Sequence, residues 1–214
     1  MMIVQYVALG ALILCFGVLF FHFLRLIKLG NPKDFSEKSG NIANGILYSS
    51  TVAMAPQNKE SAYLHLPTYT MGIFYHIGTF FSFFIFILSF FPFFNHWLIQ
   101  DQFIHYLIPV FLIVTCLCGF IFFIKRMVKK SLKGFTNPDD YLSNAFTTLF
   151  QLATLLYLFL PQDGIMLTTY YIFTTLLFLY MPVGKLKHVV YFFAARYHLG
   201  FFYGWRNVWP AKEK

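Results

Sequence analysis

Residues Met71–Phe81 read MGIFYHIGTFF, and residues 82–91 continue as SFFIFILSFF. The run holds no Asp, Glu, Lys or Arg. An uncharged apolar run of this length predicts a helix that crosses a bilayer. Near one end of it stands a single imidazole, His76. A titratable group inside hydrocarbon is costly and needs a partner. What surrounds this stretch, and what His76 meets, are the two questions the rest of the chain must answer.

The whole composition agrees with a membrane setting. Of 214 residues, 58% are hydrophobic, only 11% are charged, and 30 are Phe. A soluble domain carries about 25% charged residues. Five apolar stretches are each long enough, or nearly so, to cross as a helix: 3–24, 66–94, 103–124, 141–160 and 166–183. No stretch alternates with the period of two that a strand requires, and an open sheet in lipid would leave backbone groups unpaired. The expected fold class is an all-α integral membrane protein, a bundle of five transmembrane helices. The first stretch does not read as a signal peptide, because no positive residue precedes it and it outruns a typical apolar signal core.

Charge sets the expected orientation. Arg25, Lys28, Lys33, Lys38 and Lys59 fall between stretches one and two. Lys125, Arg126, Lys129, Lys130 and Lys133 fall between three and four, and the remaining Lys and Arg follow stretch five. The other two connections, 95–102 and 161–164, hold neither Lys nor Arg. The positive-inside rule then puts the N-terminus outside and the C-terminus in the cytoplasm. The net charge of +8 reads as topology, with some attraction to anionic membrane lipid, and not as nucleic-acid binding. The organisation expected is one membrane domain, 1–184, and a cytoplasmic tail, 185–214. The long polar connection from Lys28 to His65 should pack against another part of the protein.

The polar residues exclude several functions. Cys15, Cys116 and Cys118 lie inside apolar stretches, and their spacing completes no metal or iron–sulfur site. Transport would call for ionisable residues in mid-membrane, where only Gln151 and several Thr are polar in stretches four and five. No HExxH, paired Asp or Ser/His set marks an intramembrane hydrolase.

Seven histidines remain. His96 and His105 fall at the outer ends of stretches two and three, and His22 near the inner end of stretch one, where interfacial histidines are ordinary. His65 stands just before Pro67 at the start of a helix. His76 lies about 15 Å into stretch two from its cytoplasmic side, flanked by Gly72 and Gly78, which leave room beside it. His188 follows stretch five, after Pro182, which should kink or end that helix. Two imidazoles on different helices at similar depth are what a bis-His b-type haem requires. His76 is equally compatible with an interhelical hydrogen bond. Lys185, Lys187 and Arg196 are near enough in sequence to pair with haem propionates, and each is also accounted for by topology alone.

Four passages carry a resemblance to a family. They are Tyr75–Gly78 (YHIG), Pro182–His188 (PVGKLKH), Thr136–Ser143 (TNPDDYLS) and Ala53–Ser61 (AMAPQNKES). Their order resembles the membrane gamma subunits of respiratory nitrate reductases, and above all their relatives in heterodisulfide reductases and dissimilatory sulfite-reduction complexes. The resemblance implies a b-type cytochrome of a prokaryotic plasma membrane. Such a subunit passes electrons between a menaquinone- or ubiquinone-type carrier and a cytoplasmic iron–sulfur subunit that performs the terminal chemistry. It implies His76 and His188 as axial ligands. Two-haem members carry a further outer histidine pair, and this chain has Phe86 and Tyr170 at those positions, so one haem is expected. A pair from His65 and His198 would put a second haem largely outside the bilayer. Quinone is then expected on the inner side, with Tyr63 and Tyr75 as hydrogen-bond donors. The reading from another class is a haem-free structural anchor.

Overall fold

The computed structural model describes residues 3–30, 35–94, 102–160 and 163–210. Its elements are helices: α1 (Ile3–Leu29), α2 (Ile42–Ser50), α3 (Glu60–Leu64), α4 (Leu66–Leu88), α5 (Gln102–Val128), α6 (Lys130–Lys133), α7 (Pro138–Phe159), α8 (Gly164–Tyr180) and α9 (His188–Trp205). Short 3₁₀ turns at Val52–Met54, Pro56–Asn58 and Lys185–Lys187 join them. No strand occurs among the described residues. Four helices are long and apolar enough to cross a membrane, and α8 with α9 pass the same test together as one broken span. This is the pattern of a multi-pass membrane protein.

The observed bounds follow local chemistry. The second apolar stretch, expected to run to 94, stops as a helix at Leu88. Pro92 explains the stop: proline has no N–H to continue the ladder, and its ring disfavours helical backbone at Phe91 before it. The fifth stretch ends at Tyr180, just ahead of Pro182. There Val183 and Gly184 donate backbone N–H groups to the Tyr180 carbonyl. A side chain on Gly184 would collide with the Tyr180 ring, so the turn closes only with glycine. Asn137 caps α7 reciprocally: its side chain accepts from the Asp140 N–H at 3.0 Å, and the Asp140 carboxylate accepts from the Asn137 N–H at 3.0 Å. Pro138 occupies the first helical position, where its missing N–H costs nothing. Asp163 caps α8 through bonds from Ile165 and Met166.

The chain divides into two compact units. The first comprises Met1–Cys15 and Pro67–Leu186, so it holds the start of α1 with α4, α5, α7 and α8. Its centre is aromatic. Tyr157 and Tyr170 stack with ring centroids 4.8 Å apart, and Phe86 packs on both Tyr170 and Phe178. All four of these residues are essentially fully buried. Gly78 and Gly119 bring the helices close. A side chain on Gly78 would strike Thr115 of α5, and one on Gly119 would strike Thr148 of α7.

The second unit comprises Phe16–Leu66 and Lys187–Lys214. Residues expected to form a tail are here an 18-residue helix, α9, and the polar connection after α1 supplies its partner, α2. Their backbones touch through glycines. Side chains on Gly45 or Gly200 would overlap the facing backbone, and Gly204 stands one turn further along. Small residues spaced by four allow such an approach. The indole N–H of Trp205 donates to the Ser36 carbonyl at 3.0 Å, and the Trp205 carbonyl accepts from the Ser39 and Gly40 N–H groups. The end of α9 closes on Asn207, whose φ of 55° is left-handed. Val208 N–H donates to the Tyr203 carbonyl and Asn207 N–H to that of Gly204, a termination that asparagine tolerates.

Replacing Gly200 with Ala should therefore cost about 1–3 kcal/mol, the usual range for overpacking a tight contact. In detergent, limited proteolysis between residues 35 and 65 should accelerate, while the equally conservative Gly10→Ala, which meets open space, should leave it unchanged.

Candidate functional site

His76 sits on the exposed face of α4 beside Ile73, Ile77 and Phe80, which are exposed too. Its Nδ1 lies 2.7 Å from the Gly72 carbonyl oxygen, one turn back. A carbonyl can only accept, so Nδ1 is the donor, and in the neutral ring the lone pair then falls on Nε2. A backbone carbonyl on one imidazole nitrogen commonly orients the other toward a metal. The two flanking glycines differ in their reason. At Gly72 a side chain would meet only Phe122, at 3.9 Å, so the space beside His76 is open there. Gly78 is required by helix packing on Thr115.

His188 is the first residue of α9 and is exposed. It belongs to the second unit, whereas His76 belongs to the first. Lys187 precedes it as the cap residue of α9. Arg196, two turns into α9, has its guanidinium 5.6 Å from the Phe192 ring centroid. Its Nε is buried and meets no hydrogen-bond partner among the described residues, so an anionic group would satisfy it. Lys185 is committed elsewhere, to an ion pair with Asp140.

The remaining histidines are accounted for individually. The His198 ring occupies the space a Gly30 side chain would need, and its Nε2 donates to the Leu26 carbonyl at 3.3 Å. That ring locks the end of α1 within the second unit. His65 is exposed and ends α3. His22 is half-buried with its ring edge toward Phe21. His96 and the His105 side chain lie outside the described residues.

Of the two tyrosines expected near a quinone, Tyr63 is exposed on α3. Tyr75 turns inward. Its hydroxyl donates to the Asn144 carbonyl at 3.2 Å and meets the Thr148 hydroxyl at 3.1 Å, tying α4 to α7. The positions where an outer histidine pair would stand, Phe86 and Tyr170, are packed ring against ring at 6.3 Å. Further fully buried rings surround them. This part of the unit is filled by its own side chains.

Sequence reasoning missed Asp140. It is only 5% exposed and accepts from Arg126 of α5 at 3.0 Å and from Lys185, while also completing the α7 cap. The signal available was Asn-Pro-Asp-Asp, in which a cap residue is followed three places later by an acid that can reach back to it. Its role as a junction of two cations was not visible, since Arg126 and Lys185 lie in separate basic segments.

Protein-family models, curated proteins and solved structures were all compared with this chain, and none matches it.

Asp140→Ala should remove both ion pairs and the carboxylate's half of the cap, at about 1–3 kcal/mol for leaving buried polar groups unmet. Asp139→Ala keeps all three, so the melting midpoint in detergent should fall clearly more for the former.

Proposed function

We propose that this chain is the membrane electron-transfer subunit of a respiratory oxidoreductase, holding one b-type haem with His76 and His188 as axial ligands. The observation that carries the reading is the His76 imidazole. It stands exposed on a membrane-spanning helix, with Nδ1–H held by the Gly72 carbonyl and the Nε2 lone pair left for a ligand. In hydrocarbon such a lone pair costs free energy unless something covers it. Iron of a haem does so, and the open space at Gly72 suits a flat macrocycle.

Other residues fit the same group. The orphaned Nε of Arg196 would hold a propionate, and Lys187 could supply a second cation. The ring-filled contact of Phe86 with Tyr170 favours a single, inner haem over two. When bound, the haem supplies a one-electron couple whose potential depends on its axial ligands and surroundings. The protein's own part is to orient His76 through Gly72 and to exclude water with the phenylalanine-rich face of α4.

With Lys and Arg on the cytoplasmic side, the basic connections would dock a cytoplasmic iron–sulfur subunit. The N-terminus would face outward, in the plasma membrane of a prokaryote. A membrane quinone is the second electron partner. Tyr63 remains a candidate donor to it, whereas the Tyr75 hydroxyl is already held by α7.

The purified chain should show a b-type dithionite-reduced minus oxidised spectrum and one haem per chain by pyridine haemochrome. His76→Ala and His188→Ala should each lose the haem, while His65→Ala and His198→Ala retain it. A colourless protein, expressed with added haem, would instead leave a haem-free anchor.

A further inference from the structure

Within the first unit, the cations at the end of α5 are not all treated alike. Residues 121–133 hold Lys125, Arg126, Lys129, Lys130 and Lys133 and no Asp or Glu. Arg126 is neutralised by Asp140 at 3.0 Å. Lys125 and Lys129 have no such partner, because the ion pairs among the described residues are those of Asp140 with Arg126 and Lys185. Lys125 instead donates from Nζ to Thr68 Oγ1 of α4 at 2.8 Å. A lysine in a membrane-spanning helix ordinarily extends its stem toward water. Here Thr68 holds the ammonium in place. One of its N–H donors is used, and two remain for a further acceptor.

Lys129 stands four residues on, and so on the same helix face. It is exposed. Like charges at that spacing destabilise a helix, and an anion between them removes the repulsion.

The two lysines share this face with a groove. A cavity of about 360 Å³ opens there, lined by Ile121, Ile124, Lys125, Val128 and Lys129. A volume of that size falls within the range of small-ligand sites. Ile121, Ile124 and Val128 are all exposed, so no part of the described chain covers the aliphatic floor. From Ile121 to Lys129 the helix rises about 12 Å. Along that length the groove passes from branched aliphatic to cationic. On a membrane-spanning helix, its aliphatic end meets acyl chains and its cationic end reaches headgroup level.

That gradient selects the occupant. Free phosphate would leave Ile121 and Ile124 uncovered. A neutral lipid would leave both ammonium groups without a counter-charge. An acidic peptide reaching the aliphatic end would carry unpaired backbone groups into hydrocarbon. We propose that this groove binds one anionic phospholipid, with its phosphate between Lys125 and Lys129 and an acyl chain along Ile121 and Ile124. Binding is by charge and contact, and no covalent bond changes. Through the Lys125–Thr68 bond, the bound lipid fastens the start of α4 to the end of α5. The inference goes beyond the haem reading and does not depend on it.

The test uses the full chain in detergent, with phosphatidylglycerol and phosphatidylcholine of identical acyl chains as probes. With both lipids at equal concentration, native mass spectrometry should show one retained phosphatidylglycerol per chain. Phosphatidylglycerol should also raise the melting midpoint, and phosphatidylcholine should not. Lys125→Gln and Lys129→Gln should each weaken retention about fivefold, the effect of one lysine charge near a membrane surface. Lys133→Gln removes the same charge outside the groove and should retain the lipid as wild type does. Helix content by circular dichroism should be native in all three variants, since Lys129 and Lys133 make no ion pair among the described residues and Lys125→Gln keeps a donor for Thr68. Equal retention of the two lipids would overturn the site. Equal losses in Lys129→Gln and Lys133→Gln would overturn it too, in favour of diffuse attraction to the whole basic segment. A midpoint raised as far by glycerol phosphate as by phosphatidylglycerol would overturn the part given to the aliphatic floor.

Discussion

A polar group in hydrocarbon has no water to fall back on, so each one must find its partner inside the bundle. Most of what distinguishes this protein follows from that constraint. The Thr and Ser hydroxyls of α4, α7 and α8 return to their own helices, as Thr79 does to Tyr75 and Thr174 to Tyr170. Longer side chains reach across. Gln151 and Tyr75 tie α4 to α7 in two places, and Gln5 ties the start of α1 to α8. Without such bonds, apolar helices would have no reason to choose one rotation over another, since lipid tails are as apolar as leucine.

Close approach is the companion requirement. Hydrogen bonds between helices need backbones near enough for short side chains to meet, and glycine supplies that nearness at Gly78 and Gly119. The same device, used where α2 meets α9, makes a separate contact from Gly45, Gly200 and Gly204. At the basic end of the first unit, Asp140 gathers the cap of α7, the end of α5 and the turn after α8 onto one carboxylate. A buried anion with a single cation would be a poor source of stability. Two cations and a backbone N–H leave it well satisfied.

His76 departs from this economy. It is oriented by its own helix and lies on an exposed face, where Nε2 meets no hydrogen-bond partner among the described residues. Tyr75 beside it turns inward and is held by Asn144 and Thr148. Gly72 and Gly78, alike in sequence, differ in role in the same way: one borders open space and the other a packed helix.

The helices themselves were legible in the sequence, because apolar length alone decides what can cross a bilayer. The stops at Pro92 and Pro182 follow from proline's missing N–H. The bonded partner of each polar residue was not legible. Tyr75, Thr148 and Gln151 look like isolated polar residues on paper, and their convergence depends on the rotation of two helices about their axes. Nor could a polar connection and a presumed tail announce that glycines would pack them together as α2 and α9. Spacing along a chain determines which residues share one helix face. Only the packing of several helices decides what that face meets, because contact distances are set across the chain and not along it.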